Sequence, residues 1–559
     1  MAIQDQACQL SPSKLLIVFI GLQAALFLSF VDATSVSTIL PIVGSDLDAA
    51  SSITWAGTAF LVANTSFQII SSRLSDCLGR KIVLVGSLAL FAFGDLISGF
   101  AKNAVWLYCG RAVAGIGGGG INSLSMIIMS DVVPMRERGK YQGLLGISIA
   151  GGSAAGPFIG AALATGASWR WAFWLVVPLS VVTMAMIWFF VPLRPVEGNF
   201  FEKLKDMDWI GSILSLAMTL CILVPLSGGG STFPWSSSVV IGLLVGGVVA
   251  AVAFILVERF VASVPLLPGR LFKTRNIVLL LIQTWLVGIV YYGGIYFTPL
   301  YLQNSRGYTA IESAAMLLCL VVVQVLSTVV SGYVVKWTGR TWSSFAVGFF
   351  LLAAGQGAQI CFSRTSSPAL IGGILTIQGL GIGATLQSTL VLAQASGANA
   401  DRAVITGARN FARTSGGAIG LAIANSVLNN VFLGNMPSSI TPEQEKTLLD
   451  SLEAVKNFAP EVQTVIEDAY MKGLRSVFIF FFPVVALCFL MCFLIKDLPL
   501  VNTPPSPPDT LVGDEEQAKQ LVPADVAVTE TSDTSASTEM SEKSVSSLKQ
   551  ESQSTSIAK

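Results

Sequence analysis

The chain contains no histidine. That absence excludes Ser-His-Asp and Cys-His nucleophilic sites, histidine-ligated zinc and haem, and any imidazole proton relay. Proton chemistry, if there is any, has to run on carboxylates. The cysteines Cys8, Cys77, Cys109, Cys221, Cys319, Cys361, Cys488 and Cys492 show no metal-ligand spacing and fall mostly inside apolar runs. They read as small core residues, and no metal or cofactor is expected. Charge is scarce, at 12% of residues against about 25% in an ordinary soluble domain. The 33 basic and 33 acidic side chains cancel, so no global field draws the molecule to nucleic acid. With 53% hydrophobic residues and no Gly-X-Y repeat, disordered and collagen-like chains are excluded too. The remaining class is a polytopic membrane protein.

What the chain does have is a succession of long apolar runs. A bilayer-spanning helix needs about 20 predominantly apolar residues, and about fourteen runs meet that rule. They lie near 15–40, 52–72, 82–101, 104–130, 141–165, 171–192, 209–227, 237–257, 276–302, 311–335, 342–361, 368–393, 403–432 and 475–495. Arg73, Arg80 and Lys81, then Arg136, Arg138 and Lys140, then Arg194, Lys203 and Lys205, then Arg259, Arg270, Lys273 and Arg275, then Lys336 and Arg340 fall in alternate loops. Basic loops stay in the cytoplasm, so both termini are expected inside. Residues 434–473 read as a charged external loop carrying one short amphipathic helix. From Pro499 onward the chain is rich in Pro, then in Ser, Thr, Glu and Lys, which predicts a disordered cytoplasmic tail.

The loop Ser72-Arg-Leu-Ser-Asp76-Cys-Leu-Gly79-Arg80-Lys81 repeats its spacing in Gly332-Tyr-Val-Val-Lys336-Trp-Thr-Gly339-Arg340. Ala114-Gly115-Ile-Gly117 likewise has a counterpart in Gln378-Gly379-Leu-Gly381. Both matches imply an offset of eight spans: two six-helix halves with two helices inserted between them. The expected organisation is an N-tail at 1–13, a first bundle at 14–192, inserted helices at 193–258, a second bundle at 259–498 and the tail at 499–559. Duplicated halves are the architecture of rocker-type secondary transporters, with the site at their interface.

Several polar residues lie inside these spans. Ser29, Asp32 and Ser35 form a polar stripe on the first, and a buried acid there is costly unless it is paired or protonated, which makes Asp32 the leading proton carrier. Arg111, Gly115, Gly118 and Asn122 share one face of the fourth, so the guanidinium should line the interior and meet an acid or a substrate. Asp95 lies about 9 Å inside the third span at 1.5 Å per residue, too deep for a short side chain to reach water easily. It is expected to act as a second protonatable group or as a counter-charge for a cationic substrate. Asp32, Asp95 and Arg111 are the main charges read inside spans, too few for a highly charged solute. Trp285, Tyr292 and Tyr296 form an aromatic face beside Gly288, with Gln324 and Gln387 as further polar candidates for a substrate cavity.

Gly143, Gly152, Gly156, Pro157 and Gly160 in the fifth span follow G-x8-G-x3-G-P-x2-G, and Asp76, Gly79, Arg80 and Lys81 follow G-x-L-x-D-x-x-G-R-K with Ser72 in place of the first glycine. With Arg111 on R-x-x-x-G-x-G and Asp32 in an L-D-x-T-like segment, the chain resembles the major facilitator superfamily, in particular its fourteen-helix drug:proton antiporters among fungal multidrug and toxin exporters. The resemblance implies an all-α membrane protein and a gating role for the Asp76–Lys81 loop. It further implies proton coupling at Arg111 and a direction of export from the glycine motif. A small neutral residue is usual at Asp95, so this chain departs from the family there. The resulting expectation is a monomeric, multi-pass antiporter at the plasma membrane, or at the vacuolar membrane. It would be driven by the proton gradient and export small hydrophobic or amphipathic molecules such as drugs or a toxin. Rival readings are a siderophore or basic amino acid transporter and a non-transporting sensor. An enzyme is not expected, since a hydrolase at Ser148 would have no histidine base.

Overall fold

The computed structural model describes residues 10–500, less 50–51, 192, 194–206, 229–233, 263, 399–400 and positions scattered through 438–457. All secondary structure among the described residues is helical. Fourteen helices occupy the fourteen predicted places: α1 Pro12–Asp46, α2 Trp55–Leu78, α3 Arg80–Gly99, α4 Ala104–Val132, α5 Met135–Gly166, α6 Trp171–Phe190, α7 Trp209–Gly228, α8 Ser238–Phe260, α9 Arg275–Leu300, α10 Ala310–Thr338, α11 Trp342–Gln359, α12 Pro368–Ser396, α13 Arg402–Gly434 and α14 Pro460–Cys492. Twelve are long and apolar enough to cross a bilayer; the other two are α2, which carries Gln68, Arg73 and Asp76, and α11, which carries Ser343, Ser344, Gln356 and Gln359. In hydrocarbon every backbone polar group needs an internal partner, which a helix supplies. The large apolar residues turned outward, such as Phe158, Phe189, Val249, Ile255 and Val330, are what a lipid-facing surface requires.

Two differences from the sequence reading reassign a segment. The last span begins at Pro460 rather than 475, with Pro460 in the first helical turn, so 460–473 of the segment read as an external loop belong to α14. Its Tyr470 and Leu474 are buried, while Glu467 and Asp468 bind Arg364 of the α11–α12 connection. The tail also starts later than Pro499, because Leu500 is buried against Val335 and Val391 and its N–H donates to Gly339 O. Residues 1–9 and 501–559, which hold the rest of both predicted tails, lie outside the described residues.

The repeat is visible in the packing. A Cβ at Gly117 would come within 2.5 Å of Phe91 N on α3, and one at Gly381 within 2.5 Å of Leu352 N on α11. Gly115 meets Phe60 O of α2 just as Gly379 meets Leu320 O of α10. Gly79 and Gly339 both take a positive φ, 97° and 67°, the left-handed region that glycine enters without strain. The halves meet along α2 against α13 and α5 against α10, and the inserted α7 and α8 pack on each other, with α7 also touching α2 and α13. Both seams are built on small residues: Ser72 faces Gly407, and Gly332 faces Gly139 backbone to backbone. The serine that replaces the usual motif glycine is thus accommodated by a glycine on the opposite half.

Candidate functional site

The three in-membrane charges read from the sequence converge on one cluster. Arg111 Nη1 donates to both carboxylate oxygens of Asp32, at 2.8 and 2.9 Å, and to Asp95 Oδ1 at 3.0 Å. All three side chains are at most 1% exposed. The approach depends on small residues: a Cβ at Gly94 would lie 2.2 Å from Ala114 N, and one at Gly110 would lie 2.5 Å from Ser98 Oγ. Glycine at these positions lets α3 and α4 close until Asp95 reaches the guanidinium. The rings of Phe60 and Phe173 stand 4.4 and 5.6 Å from Arg111 Cζ and wall the cluster with apolar surface. Asp95 Oδ2 and Arg111 Nε are buried without a hydrogen-bond partner. Two carboxylates share one guanidinium, so the unprotonated cluster carries one excess negative charge, and a single proton neutralises it.

The glycines of the fifth span divide between two tasks. Gly152, Gly156 and Gly160 press α5 onto α1, where a Cβ at Gly156 would meet Thr34 Oγ1 at 2.0 Å and Val31 O at 2.6 Å. Gly143 faces the other half, 3.0 Å from Thr328 O by the same measure. Pro157 sits inside the helix, and its carbonyl accepts from Thr38 Oγ1 at 3.4 Å. The segment that carries Asp32 is therefore held directly by the glycine face of α5.

At the Gly79 end Asp76 binds Arg73 at 3.3 Å and Arg80 at 2.6 Å, while Arg80 Nε donates to Asp131 at 2.9 Å. Lys81 does not join this network and lies 5.8 Å over the Trp188 ring. Across the halves, Arg402 reaches Asp131 at 3.9 Å and Lys336 pairs with Glu137 at 2.7 Å. Gln387 Nε2 donates to Gln142 Oε1 at 2.7 Å. These contacts close the seam at the Gly79 and Gly339 end, so Gln387 here is a closing contact instead of a free cavity residue.

The predicted aromatic wall is only partly a wall. Gly288 leaves no room for a ligand, because a Cβ there would lie 2.1 Å from Arg413 O; α13 fills the space. Trp285 is used the same way, its carbonyl set against Gly416. Tyr292 packs by Gly417 and edge-on to Tyr291, whose hydroxyl meets Gln324 Nε2 at 3.5 Å. Tyr296 is 52% exposed and leans on Phe297. Asn122 is half-buried with its Oδ1 unpartnered. Sequence reasoning missed Arg409 and Arg413, one turn apart inside the predicted span 403–432, where Arg409 is 3% exposed. The signal was two arginines at spacing four in an apolar run. They correct the reading that Asp32, Asp95 and Arg111 are the main charges within the spans.

A family profile described as Major Facilitator Superfamily matches residues 23–421. Citrate exporter 1 of Yarrowia lipolytica is 37% identical over 499 residues, covering 89% of this chain and 74% of that protein. The efflux pump FUS6 of Gibberella fujikuroi is 32% identical over 496 residues, covering 87% of this chain and 89% of that one. In fold, the crystal structure of the human organic anion transporter MFSD10 (TETRAN) superposes with a TM-score of 0.58 at 15% identity, covering 86% of this chain and all of that one. The duplicated helical halves, their glycine-built seams and these matches along the chain agree: the protein is a membrane transporter of the major facilitator superfamily.

Proposed function

We propose that the chain is a proton-coupled antiporter that exports a small amphipathic molecule by alternating access between its two halves. The observation that carries this reading is the buried cluster of Asp32, Asp95 and Arg111, which holds one more acid than base. Low-dielectric surroundings make that excess charge costly, so gaining or losing one proton on the cluster shifts the balance between the conformations. Deprotonated, the cluster favours whichever state gives water access to the acids. Protonated, it is neutral and can cross the closed state. The seam contacts at the Gly79 end, among them Lys336–Glu137 and Gln387–Gln142, are the gate that must part on that side. On the expected orientation, with the basic loops and both termini cytoplasmic, this gate faces the cytoplasm, and the plasma membrane is the site of action.

Export is supported by the relatives, which include a citrate exporter and efflux pumps. The test is transport into inside-out vesicles containing the purified chain, with a panel of labelled organic solutes and an imposed inward-acid gradient. Accumulation that collapses on adding a protonophore supports the reading. Accumulation unaffected by the gradient contradicts it.

A further inference from the structure

In this structure Arg73, Arg80, Arg111 and Arg402 are each ion-paired with an aspartate. Arg409 and Arg413 are in no ion pair among the described residues. Arg409 is almost wholly buried; its Nη2 donates to Leu386 O and, at 3.2 Å, to Thr389 Oγ1, both on α12. Arg413 is half-buried one helical turn later. The Nε of each is buried without a partner. Two guanidiniums at spacing four repel each other, and each was taken out of water without a counter-charge. Carbonyl and hydroxyl dipoles offset part of that cost; an anion would offset the rest.

The repeat sharpens the point. On α5, Gly152 and Gly156 meet α1 as Gly416 and Gly420 on α13 meet α9, through Phe27 and Val31 in the first half and Trp285 and Ile289 in the second. By that register Arg409 and Arg413 stand where α5 carries Leu145 and Ile149, and Asp32 stands where α9 carries Val290. The two halves have therefore diverged in charge at matched positions. One holds an excess acid and the other an uncompensated pair of bases.

We propose that Arg409 and Arg413 form the substrate-recognition site, and that the exported molecule is an organic anion bearing at least one carboxylate. The proposal rests on the export reading above and narrows its substrate class. A guanidinium presents parallel N–H donors that match a carboxylate, and two of them one turn apart can hold either one carboxylate from both sides or two carboxylates of one molecule. Tyr292, which packs against Gly417 one turn beyond Arg413, and Tyr291, edge-on to it, supply aromatic surface and a hydroxyl for the remainder of the molecule. The cavity beside Arg409, lined by Thr284, Phe349, Thr385 and Thr389 among others, has room for about one water. In this conformation the site is collapsed, and the substrate must enter as the seam between the halves opens.

The experiment uses the full purified chain and follows its thermal midpoint with citrate, 4-phenylbutyrate, trimethyl citrate and inorganic phosphate as probes. A carboxylate should raise the wild-type midpoint, and neither the ester nor phosphate should do so. Loss of one charge-assisted contact should weaken the apparent affinity about 10- to 100-fold in Arg413→Gln and in Arg409→Gln, with partial recovery in Arg409→Lys. Arg413→Gln alters a half-buried side chain, so it serves as the variant if the Arg409 substitutions do not fold. A wild type that responds to no carboxylate, or equally to the ester, overturns the proposal. A response to phosphate instead of the carboxylates does so as well, as does an Arg413→Gln protein with wild-type affinity. Binding that persists while pH-driven transport is absent would instead remove the coupling reading and leave this one standing.

Discussion

Replacing Arg111 by leucine tests whether the charges of the cluster are balanced as described. The guanidinium lies 2.8 and 2.9 Å from Asp32 and 3.0 Å from Asp95. At about 3 Å and an effective dielectric of about 20, each attraction amounts to about 5 kcal/mol before desolvation is subtracted. Removing one partner of a buried pair typically costs about 3–5 kcal/mol, because the other charge is left uncompensated. Arg111→Leu strands two acids and should lose at least that much. Asp95→Asn is different: Asp95 Oδ2 has no partner to lose, the amide oxygen can still accept from Arg111, and the excess charge disappears. Its cost should stay below about 1 kcal/mol. The triple variant Asp32→Asn, Asp95→Asn, Arg111→Leu is neutral and should recover much of the Arg111→Leu loss. Thermal denaturation of the detergent-purified proteins should rank wild type and Asp95→Asn highest, the triple variant next and Arg111→Leu lowest. An Arg111→Leu protein as stable as wild type would refute the reasoning, and so would an Asp95→Asn protein as damaged as Arg111→Leu.

Three further outcomes are expected. Gly156→Leu should cost about 1–3 kcal/mol or more and stop transport, because even a Cβ there meets Val31 O at 2.6 Å; normal flux would remove the close-packing role. Ser72→Gly should transport normally while Ser72→Leu and Gly407→Leu should not, since the two residues face each other across the seam; equal activity of all three variants in a vesicle assay would count against a moving seam. In a cysteine-free background, Gln142→Cys with Gln387→Cys should cross-link with a short dithiol-reactive reagent and lose transport, recovering it on reduction; transport by the cross-linked protein would show that this end need not open.

Much of this was legible in the sequence, and for identifiable reasons. Lipid imposes long apolar runs, so helix number and place can be read directly, and Gly79 and Gly339 announced the repeat by spacing alone. Asp32, Asp95 and Arg111 stood out because ionised groups are rare inside such runs, although only the structure shows that one nitrogen of Arg111 serves both acids. Gly288 was open in the sequence, because a glycine beside aromatic residues suits a ligand pocket and a crossing helix equally well; Arg413 O occupies the space. Gln387 was open for a related reason, since a polar side chain on an inward face can bind a solute or a neighbouring helix, and here it binds Gln142. The start of α14 was missed because its first turns carry Glu467 and Asp468, whose partner Arg364 is about 100 residues distant in sequence. Arg409 and Arg413 were visible at spacing four, but their lack of an acid is a property of the folded state.

The most direct test of coupling compares exchange with net transport in Asp32→Asn and Asp95→Asn. With labelled substrate on one side of a proteoliposome and unlabelled substrate on the other, exchange needs no net proton movement; net export against a gradient does. Both variants should keep exchange and lose pH-driven accumulation. Accumulation at the wild-type level in either variant, with the pH gradient as its only driving force, would contradict the claim that this cluster carries the coupling proton.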